Sequence, residues 1–306
     1  MNSSKITTVA RAQQLVDQLS RTRIGWGSDS AGRRLSAEIQ TLRGRLASLR
    51  DKAEPGHATV RLIHHFACTG GTLISKCIAA LPNVRLLSEA DPLSPFPQGP
   101  FAPTDLIALS RFGVRGGDRN CDLDVFRRGM AAMYADSLRN GLRLVLRDHA
   151  HGHFCHGASV AERPSLREIV ASDYDTRCVL TVRHPMDSYL SLRKNAWLHF
   201  QPDGLDEYAR RYHAFLDRYA TVPIFRYEEF VSYPQATVAR MCSQLLLEYS
   251  PNFLNIFQCI SLSGDSGRGG NTIEPRPRRN CPDDVREQAQ HSAHYAALLT
   301  RLGYRA

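Results

Sequence analysis

The chain has 306 residues, of which 42% are hydrophobic and 23% are charged, a balance typical of a globular protein with one large domain and an appendage. No segment approaches the ~18 consecutive apolar residues of a membrane span, and the first residues lack the apolar core of a secretory signal, so we expect a cytoplasmic protein without a membrane span. The net charge is +9, and residues 1–55 carry more than half of it. Because a nucleic-acid binder concentrates basic residues on its folded domain, we expect no nucleic-acid partner and a few cations around a small anionic ligand.

Residues 1–55 are predicted to form a helical appendage. Apolar residues recur there with heptad spacing at Leu35, Ile39, Leu42, Leu46 and Leu49. Two heptads fit either a short coiled coil, through which the chain would form a homo-oligomer, or a helix packed against the main domain. The segment DKAEPGHA at 51–58 is predicted to be a linker.

From residue 58 onward, apolar runs rich in β-branched residues alternate with helical stretches. This pattern predicts an α/β domain over 58–306, with a central parallel sheet of about five strands and helices on both faces. Ligands of such sheets bind at the carboxyl ends of the strands, so the residues that follow each strand are the candidate site. Strands are predicted at 60–66, 84–89, 142–148, 177–184 and 222–227. Helices are predicted at 71–81, 121–141, 187–199, 205–219, 234–248 and 283–301.

The first strand leads into a glycine turn, Thr69-Gly70-Gly71-Thr72, and then into a helix. Paired glycines let backbone amides face an anion, and the helix N-terminus adds a partial positive charge. Thr72 adds a hydroxyl donor, and Lys76 lies one helical turn further along. The turn is either an anion cradle or a helix cap without a ligand. It lacks the GxxxxGK[ST] spacing of P-loop kinases.

The fourth strand ends at Arg183, and a helix is predicted to begin close behind it. Ser191 lies one turn beyond Asp187 on the same helix face. A guanidinium and a hydroxyl that converge there would clamp a terminal phosphate. The ordinary interpretation is an arginine that caps nearby carbonyls and a serine that faces solvent.

These elements, taken in order, resemble the sulfotransferases that use 3′-phosphoadenosine 5′-phosphosulfate (PAPS). RHPMDSYLS resembles their 3′-phosphate motif, with Arg183 and Ser191 eight residues apart, and the loop at 68–76 resembles their 5′-phosphosulfate loop. PIFRYEEFVSYP resembles the segment in which a Tyr-Glu pair follows the last strand. This last match implies that Tyr227 lies near the adenine.

The glycine-rich segment 263–279 resembles the loop that closes over the 3′-phosphate in that family. The resemblance covers about 58–282 and implies a P-loop-like fold, PAPS as co-substrate and no required metal. The best matches within the loop are Ser266, Gly267 and Arg268, with Arg276, Arg278 or Arg279 as substitutes.

The chain departs from the family at Cys68, where a lysine or arginine usually stands two positions before the first glycine of the loop. That residue contacts the transferring sulfate. In this chain either Lys76 or Arg147 supplies the charge, or transfer is impaired.

Two residues are candidates for the base that takes the proton of the acceptor hydroxyl. Arg147 and His149, after the third strand, resemble the basic residue and catalytic histidine of the small-molecule branch of the family. Glu89, after the second strand, resembles the base of the tyrosylprotein branch. We favour His149, because a neutral imidazole takes protons well near pH 7, and we expect Arg147 to steady the bridging oxygen.

Histidines recur at alternate positions after the third strand, at His149, His151 and His153, with His156 close behind. This spacing could present three imidazoles to a metal ion, but no other ligands show metal-type spacing. We therefore expect no metal, and place these histidines in the acceptor pocket or in an ordinary loop.

The resemblance thus implies an enzyme that transfers a sulfuryl group from PAPS to a hydroxyl of a small-molecule or glycan acceptor. A sugar hydroxyl, a lipid-linked glycan, a phenol and a peptide tyrosine all stay open as that acceptor. A non-catalytic binding or scaffold protein of the same fold stays open, because Cys68 replaces a basic residue and a fold does not guarantee activity. A P-loop kinase is disfavoured, because the lysine of its glycine loop is absent.

Overall fold

A computed structural model describes residues 58–96, 107, 110, 118–262 and 272–305. The predicted appendage at 1–55 and the candidate residues Ser266, Gly267 and Arg268 lie outside these residues, so their predictions stay predictions.

Five strands of the described chain form one sheet, and every pair of neighbours is parallel. Their spatial order is β2-β3-β1-β5-β7, and β4 and β6 form a separate two-stranded pair. The predicted α/β class with a five-stranded parallel sheet is confirmed. In chain order, the strands are β1 (Thr59–His65), β2 (Val84–Ala90), β3 (Arg143–Asp148), β4 (His156–Gly157), β5 (Asp175–Val182), β6 (His199–Phe200) and β7 (Ile224–Arg226).

Helices fill most of the connections between the strands. No helix within the described residues is long and apolar enough to cross a membrane. In chain order, the α-helices are α1 (Gly71–Ala79), α2 (Arg119–Arg139), α3 (Ala150–Phe154), α4 (Leu166–Ala171), α5 (Pro185–Lys194), α6 (Leu205–Arg218), α7 (Tyr227–Ser232), α8 (Pro234–Leu245), α9 (Phe253–Ile256), α10 (Asp283–His291) and α11 (Ala293–Leu302).

Helices cover both faces of the sheet. Successive side chains of a strand point to opposite faces, so each face packs against its own layer of helices. Ile63 of β1 packs on one side in a cluster with α1 and α8, whereas Leu62 packs on the other in a cluster with α5, α6 and α11. The central strands β1, β3 and β5 are therefore buried over most of their length. This double cover leaves the ends of the strands as the natural place for polar chemistry.

The predicted boundaries differ from the observed ones by a few residues at several ends, most notably in three elements. The fifth strand ends at Arg226, and Tyr227 begins helix α7. The helix predicted at 187–199 already begins at Pro185, which suits the first helical position, and it ends at Lys194. The helix predicted at 283–301 is two helices, because the hydroxyl of Ser292 caps a new start at the Tyr295 amide.

Candidate active site

A cavity of about 960 Å³ lies at the carboxyl edge of the sheet. Its walls come from the segments that follow β1, β2, β3, β5 and β7, joined by the segment 272–279 and Tyr304. The cavity therefore lies at the edge of the sheet where the sequence predicted the site.

The glycine turn at one wall of this cavity has a backbone that only glycine permits. Gly70 has φ 86° and caps the N-terminus of α1, and a Cβ at Gly71 would overlap the imidazole of His65. The first amides of α1 lack intrahelical acceptors, so the turn can receive an anion. Thr72 and Lys76 line the cavity beside it, whereas Thr69 is buried and its hydroxyl donates to the Phe66 carbonyl at 2.7 Å.

The guanidinium of Arg147 lies at the middle of the cavity, with 4% of the residue exposed. It donates from Nε to His65 Nε2 at 2.9 Å, from one terminal nitrogen to Ser88 Oγ at 2.9 Å, and from the other to Thr72 Oγ1 at 2.8 Å. Burial and the adjacent Arg147 lower the pKa of His65 to about 3, so His65 is a neutral acceptor. These contacts fix a positive charge directly beside the glycine turn.

The two candidate bases are in contact with each other. The Glu89 carboxylate lies 2.7 Å from Arg147 through Oε1 and 3.1 Å from His149 Nε2 through Oε2. Glu89 has φ 59°, and the pairing of β2 with β3 shifts register between Leu87 and Ala90. This irregularity gives Glu89 a backbone conformation that a regular strand would not have.

The candidate residues for the nucleotide lie at one end of the cavity. The guanidinium of Arg183 stands 5.0 Å from the centre of the Tyr227 ring, and that ring packs on Gly70. Arg278 reaches His184 Nδ1 at 3.2 Å, so the segment 272–279 closes on the start of α5. Burial is the main cause that lowers the pKa of His184.

The backbone behind Arg183 is held by a second polar group. The His184 amide donates to one oxygen of Glu228 at 2.9 Å, and the Tyr304 hydroxyl donates to the other at 2.7 Å. The carboxylate of Glu228 therefore links α5, α7 and the chain end at the edge of the cavity. Glu228 follows Tyr227 in the Tyr-Glu pair noted in the sequence.

Ser191 does not share the position of Arg183. It is fully buried, and its hydroxyl donates to the Asp187 carbonyl at 2.8 Å within α5. Arg183 and Asp187 thus line the cavity, whereas Ser191 is buried and is not among its lining residues.

The other end of the cavity is lined by rings. Phe96 lies with its ring centre 5.8 Å from that of His149, 5.4 Å from that of His151 and 5.2 Å from that of His199. Trp197 lines the same end, 6.3 Å from His151 between ring centres. Burial and the adjacent imidazoles lower the pKa of His151 to about 3. No group of three His, Cys, Asp or Glu side chains in the described ranges could hold a metal ion.

Sequence reasoning missed several of these residues. His65 stands out as a polar residue at the end of an apolar strand, but nothing in the sequence says that it meets Arg147. Trp197 and His199 lie in the segment that follows α5 and line the cavity. No sequence motif marks these two positions.

The cavity suits a polyanionic nucleotide. The glycine turn admits an anion, and the positive side chains that line the cavity outnumber the negative ones. The lining cations are Lys76, Arg147, Arg183, Arg276, Arg278 and Arg279.

Comparison with solved structures identifies the fold. A sulfotransferase domain from the curacin biosynthetic pathway matches with a TM-score of 0.51 and 14% identity, over 82% of this chain and 99% of that domain. The sulfotransferase domain of the Synechococcus PCC 7002 olefin synthase matches with a TM-score of 0.47 and 13% identity, over 83% of this chain and 98% of that domain. The mouse sulfotransferase SULT7A1, solved in complex with PAP, matches with a TM-score of 0.38 and 12% identity, over 83% of this chain and 92% of that chain. The match to the curacin domain shows that this chain has the sulfotransferase fold.

No family model matches the sequence, and no curated protein matches it.

Proposed function

We propose that the protein transfers a sulfuryl group from PAPS to a hydroxyl-bearing acceptor. The observation that supports this most is the chain of contacts through Arg147, which joins the glycine turn at Thr72 to Glu89, and through Glu89 to His149. An anion cradle, a fixed cation and a proton acceptor are thereby held in one cavity. Sulfuryl transfer needs these three elements, because charge builds up on the leaving phosphate while the acceptor loses a proton.

In the proposed reaction, the acceptor oxygen forms a bond to the donor sulfur while the bond between that sulfur and the phosphate oxygen breaks. The acceptor proton passes to His149, and adenosine 3′,5′-bisphosphate leaves with the electron pair. His149 Nε2 faces Glu89, so Nδ1 is the nitrogen left to take the proton. Glu89 then stabilises the imidazolium and keeps the ring in place, as a third group does for the base in other enzymes.

Arg147 supplies the positive charge that a lysine or arginine at position 68 would otherwise provide. Cys68 lines the cavity but carries no positive charge, whereas the Arg147 guanidinium is held beside Thr72 at 2.8 Å. We assign Arg147 to the bridging oxygen, where a fixed cation offsets the charge of the leaving group without reorganisation. His65 is a positioning residue for Arg147, because it accepts from Nε and stays neutral.

Calorimetric titration with adenosine 3′,5′-bisphosphate, with ATP and AMP as controls, tests the proposal. We expect tight binding of the bisphosphate alone, because the lining arginines at the Arg183 end of the cavity suit a second, terminal phosphate. Binding of ATP alone would favour a kinase. Binding of none of the three would favour the scaffold function that the loss of the basic residue at Cys68 keeps open.

A further inference from the structure

The end of the cavity opposite the nucleotide residues is a wall of aromatic and imidazole rings. Phe96, His149, His151, Trp197 and His199 line it, and no lysine or arginine other than Arg147 lines it among the residues that the structure describes. Arg147 is already engaged by Glu89, Ser88 and Thr72. A ligand at this end therefore meets ring faces and edges rather than a free positive charge.

Two histidines of this wall, His151 and His199, favour the neutral form. Burial, followed by the repulsion of neighbouring imidazoles, lowers the pKa of His151, and the same two causes lower the pKa of His199. Protonation of either ring would place a positive charge beside further imidazoles. An anionic acceptor would lose its hydration here without gaining a free charged partner from the described part of the chain.

An aromatic ring already lies among these imidazoles. The ring of Phe96 has four imidazole rings around it, with centre-to-centre distances from 5.2 to 5.8 Å, and three of the four stand nearly edge-on. These are ordinary distances and angles for attractive aromatic pairs. Because Phe96 also lines the cavity, a second ring placed beside it meets the same kind of surface together with Trp197.

We propose that the acceptor is an uncharged aromatic alcohol or phenol, whose ring packs against Phe96, Trp197 and His199 while its hydroxyl meets His149. This inference rests on the proposed function. A free sugar fits less well, because most of its hydroxyls would be buried against ring faces without partners. A carboxylated aromatic fits less well, because no free cation lines this end within the described residues.

The test compares four acceptors with labelled PAPS, each as a steady-state kcat/KM: naphthalenemethanol, its decahydro analogue, its ring-carboxylated derivative and methyl glucoside. The first two are primary alcohols of similar size and acidity that differ in aromaticity. We expect the aromatic alcohol to exceed each of the other three by about tenfold or more, as one or two aromatic contacts would provide.

Two variants test whether the preference for the aromatic alcohol arises at Trp197. Trp197→Leu should bring the ratio between the aromatic alcohol and its decahydro analogue close to one. The matched control Tyr233→Leu replaces an exposed aromatic residue that does not line the cavity, and it should keep the wild-type ratio. Bisphosphate titration of each variant shows whether its nucleotide end is intact.

The same preparation separates the two hypotheses. An enzyme that binds the bisphosphate but prefers the glucoside or the carboxylated alcohol, or modifies none of the aromatic acceptors, overturns the acceptor assignment and leaves the nucleotide site standing. A protein that does not bind the bisphosphate overturns both. A Trp197→Leu variant that keeps the full wild-type ratio also overturns the packing described here.

Discussion

At the scale of single residues, Arg183 is the side chain on which the nucleotide assignment depends most. It lines the cavity at the end of β5, and the Tyr227 ring limits its movement from one side. We expect Arg183→Ala to weaken binding of adenosine 3′,5′-bisphosphate by roughly 2–4 kcal/mol, because a charge-assisted pair to a phosphate is lost. Calorimetry measures this directly.

The matched control for that change is Arg218→Ala. Arg218 pairs with the half-exposed Glu168 and does not line the cavity, so its loss should leave the affinity for the bisphosphate as it is. If Arg183→Ala binds the bisphosphate as tightly as the wild type, the 3′-phosphate lies elsewhere. The cavity arginines of the segment 272–279 would then be the next to examine.

His149 and Glu89 give a second prediction, because their contact makes them one unit. His149→Ala should abolish transfer while the affinity for the bisphosphate stays near that of the wild type, since the proton acceptor is lost and the nucleotide end is not. Glu89→Gln should reduce transfer less, because the amide can still bond to Nε2 of His149. Single-turnover transfer from labelled PAPS distinguishes the two.

The opposite ranking would assign the base to Glu89. Normal transfer by His149→Ala, with none by Glu89→Gln, is the result that would do so. Bisphosphate titration of both variants shows that a loss of transfer comes from the chemical step and not from lost donor binding.

Candidate residues that directly follow a strand could be predicted from the sequence, and partners that meet only through the fold could not. Glu89 and Arg147 lie at the carboxyl ends of β2 and β3, His149 directly follows β3, and the parallel sheet brings the three to one edge. The acceptor of Arg147, His65, is set by the register between β1 and β3, which no local pattern encodes. Ser191 was predicted from its spacing to Asp187 and from the resemblance to the 3′-phosphate motif; it is buried here, and its role stays a prediction.

At the scale of elements, the turn from β1 into α1 depends on Gly71 having no side chain. A Cβ at this position would overlap the His65 ring, and His65 in turn holds Arg147. We expect Gly71→Ala to lower the free energy of unfolding by about 1–3 kcal/mol through overpacking, and to weaken bisphosphate binding. Denaturant unfolding and calorimetry measure the two effects.

Gly129 provides the matched control for this substitution. It lies on the exposed side of α2, where a Cβ would meet nothing within 4 Å. Gly129→Ala should raise the free energy of unfolding by roughly 0.5–1 kcal/mol, because alanine loses less backbone entropy in a helix. Equal effects of the two substitutions would mean that the turn tolerates a side chain, and that the anion cradle is not built as described.

Element boundaries were predictable where a glycine or a proline marks the start of a helix. The start of α6 matches the predicted position, and α8 begins at Pro234, in the first position that proline suits. The break between α10 and α11 was not predicted, because a serine also occurs inside helices. The contact of Ser292 with Asp206 is visible only in the structure. Short elements such as α3 and α7 were missed because a single turn has no detectable period.

At the scale of the whole molecule, β1, β3 and α6 are joined by a buried polar cluster behind the cavity. His64 Nδ1 lies 2.7 Å from Asp148 Oδ2, and the Tyr219 hydroxyl donates to the same oxygen at 2.7 Å. The His64 ring also stacks on Tyr219 with 4.1 Å between ring centres. The sequence predicted the strands that carry His64 and Asp148, but not that one carboxylate serves both side chains.

This cluster makes the stability of the protein depend on pH. Burial alone would lower the pKa of His64, but the hydrogen bond and charge of Asp148 outweigh it and raise the value from 6.5 to about 9. The folded protein therefore binds a proton more tightly at His64 than the unfolded chain does. The stabilisation by His64 is full below pH 6.5 and is lost as the pH rises through about 9.

Asp148 acts at the other end of the pH range. His64 and Tyr219 lower the pKa of Asp148 against the effect of burial, so its stabilisation is present above its ordinary value of 3.8 and is lost as the pH falls through the lowered one. The two groups together should stabilise the fold most between pH 4 and 6.5, the interval bounded by the ordinary pKa values of Asp148 and His64.

Urea unfolding of the wild type and of His64→Leu between pH 6 and 9.5 tests this dependence. The free energy of unfolding of the wild type should exceed that of the variant by the largest amount near pH 6, and the difference should shrink by roughly 1–3 kcal/mol toward pH 9.5. The comparison with His64→Leu removes the titration of groups that do not contact His64, because both proteins share them. A difference that stays constant over this range would mean that the folded protein binds no extra proton at this pair, with a neutral His64 beside an ionised Asp148.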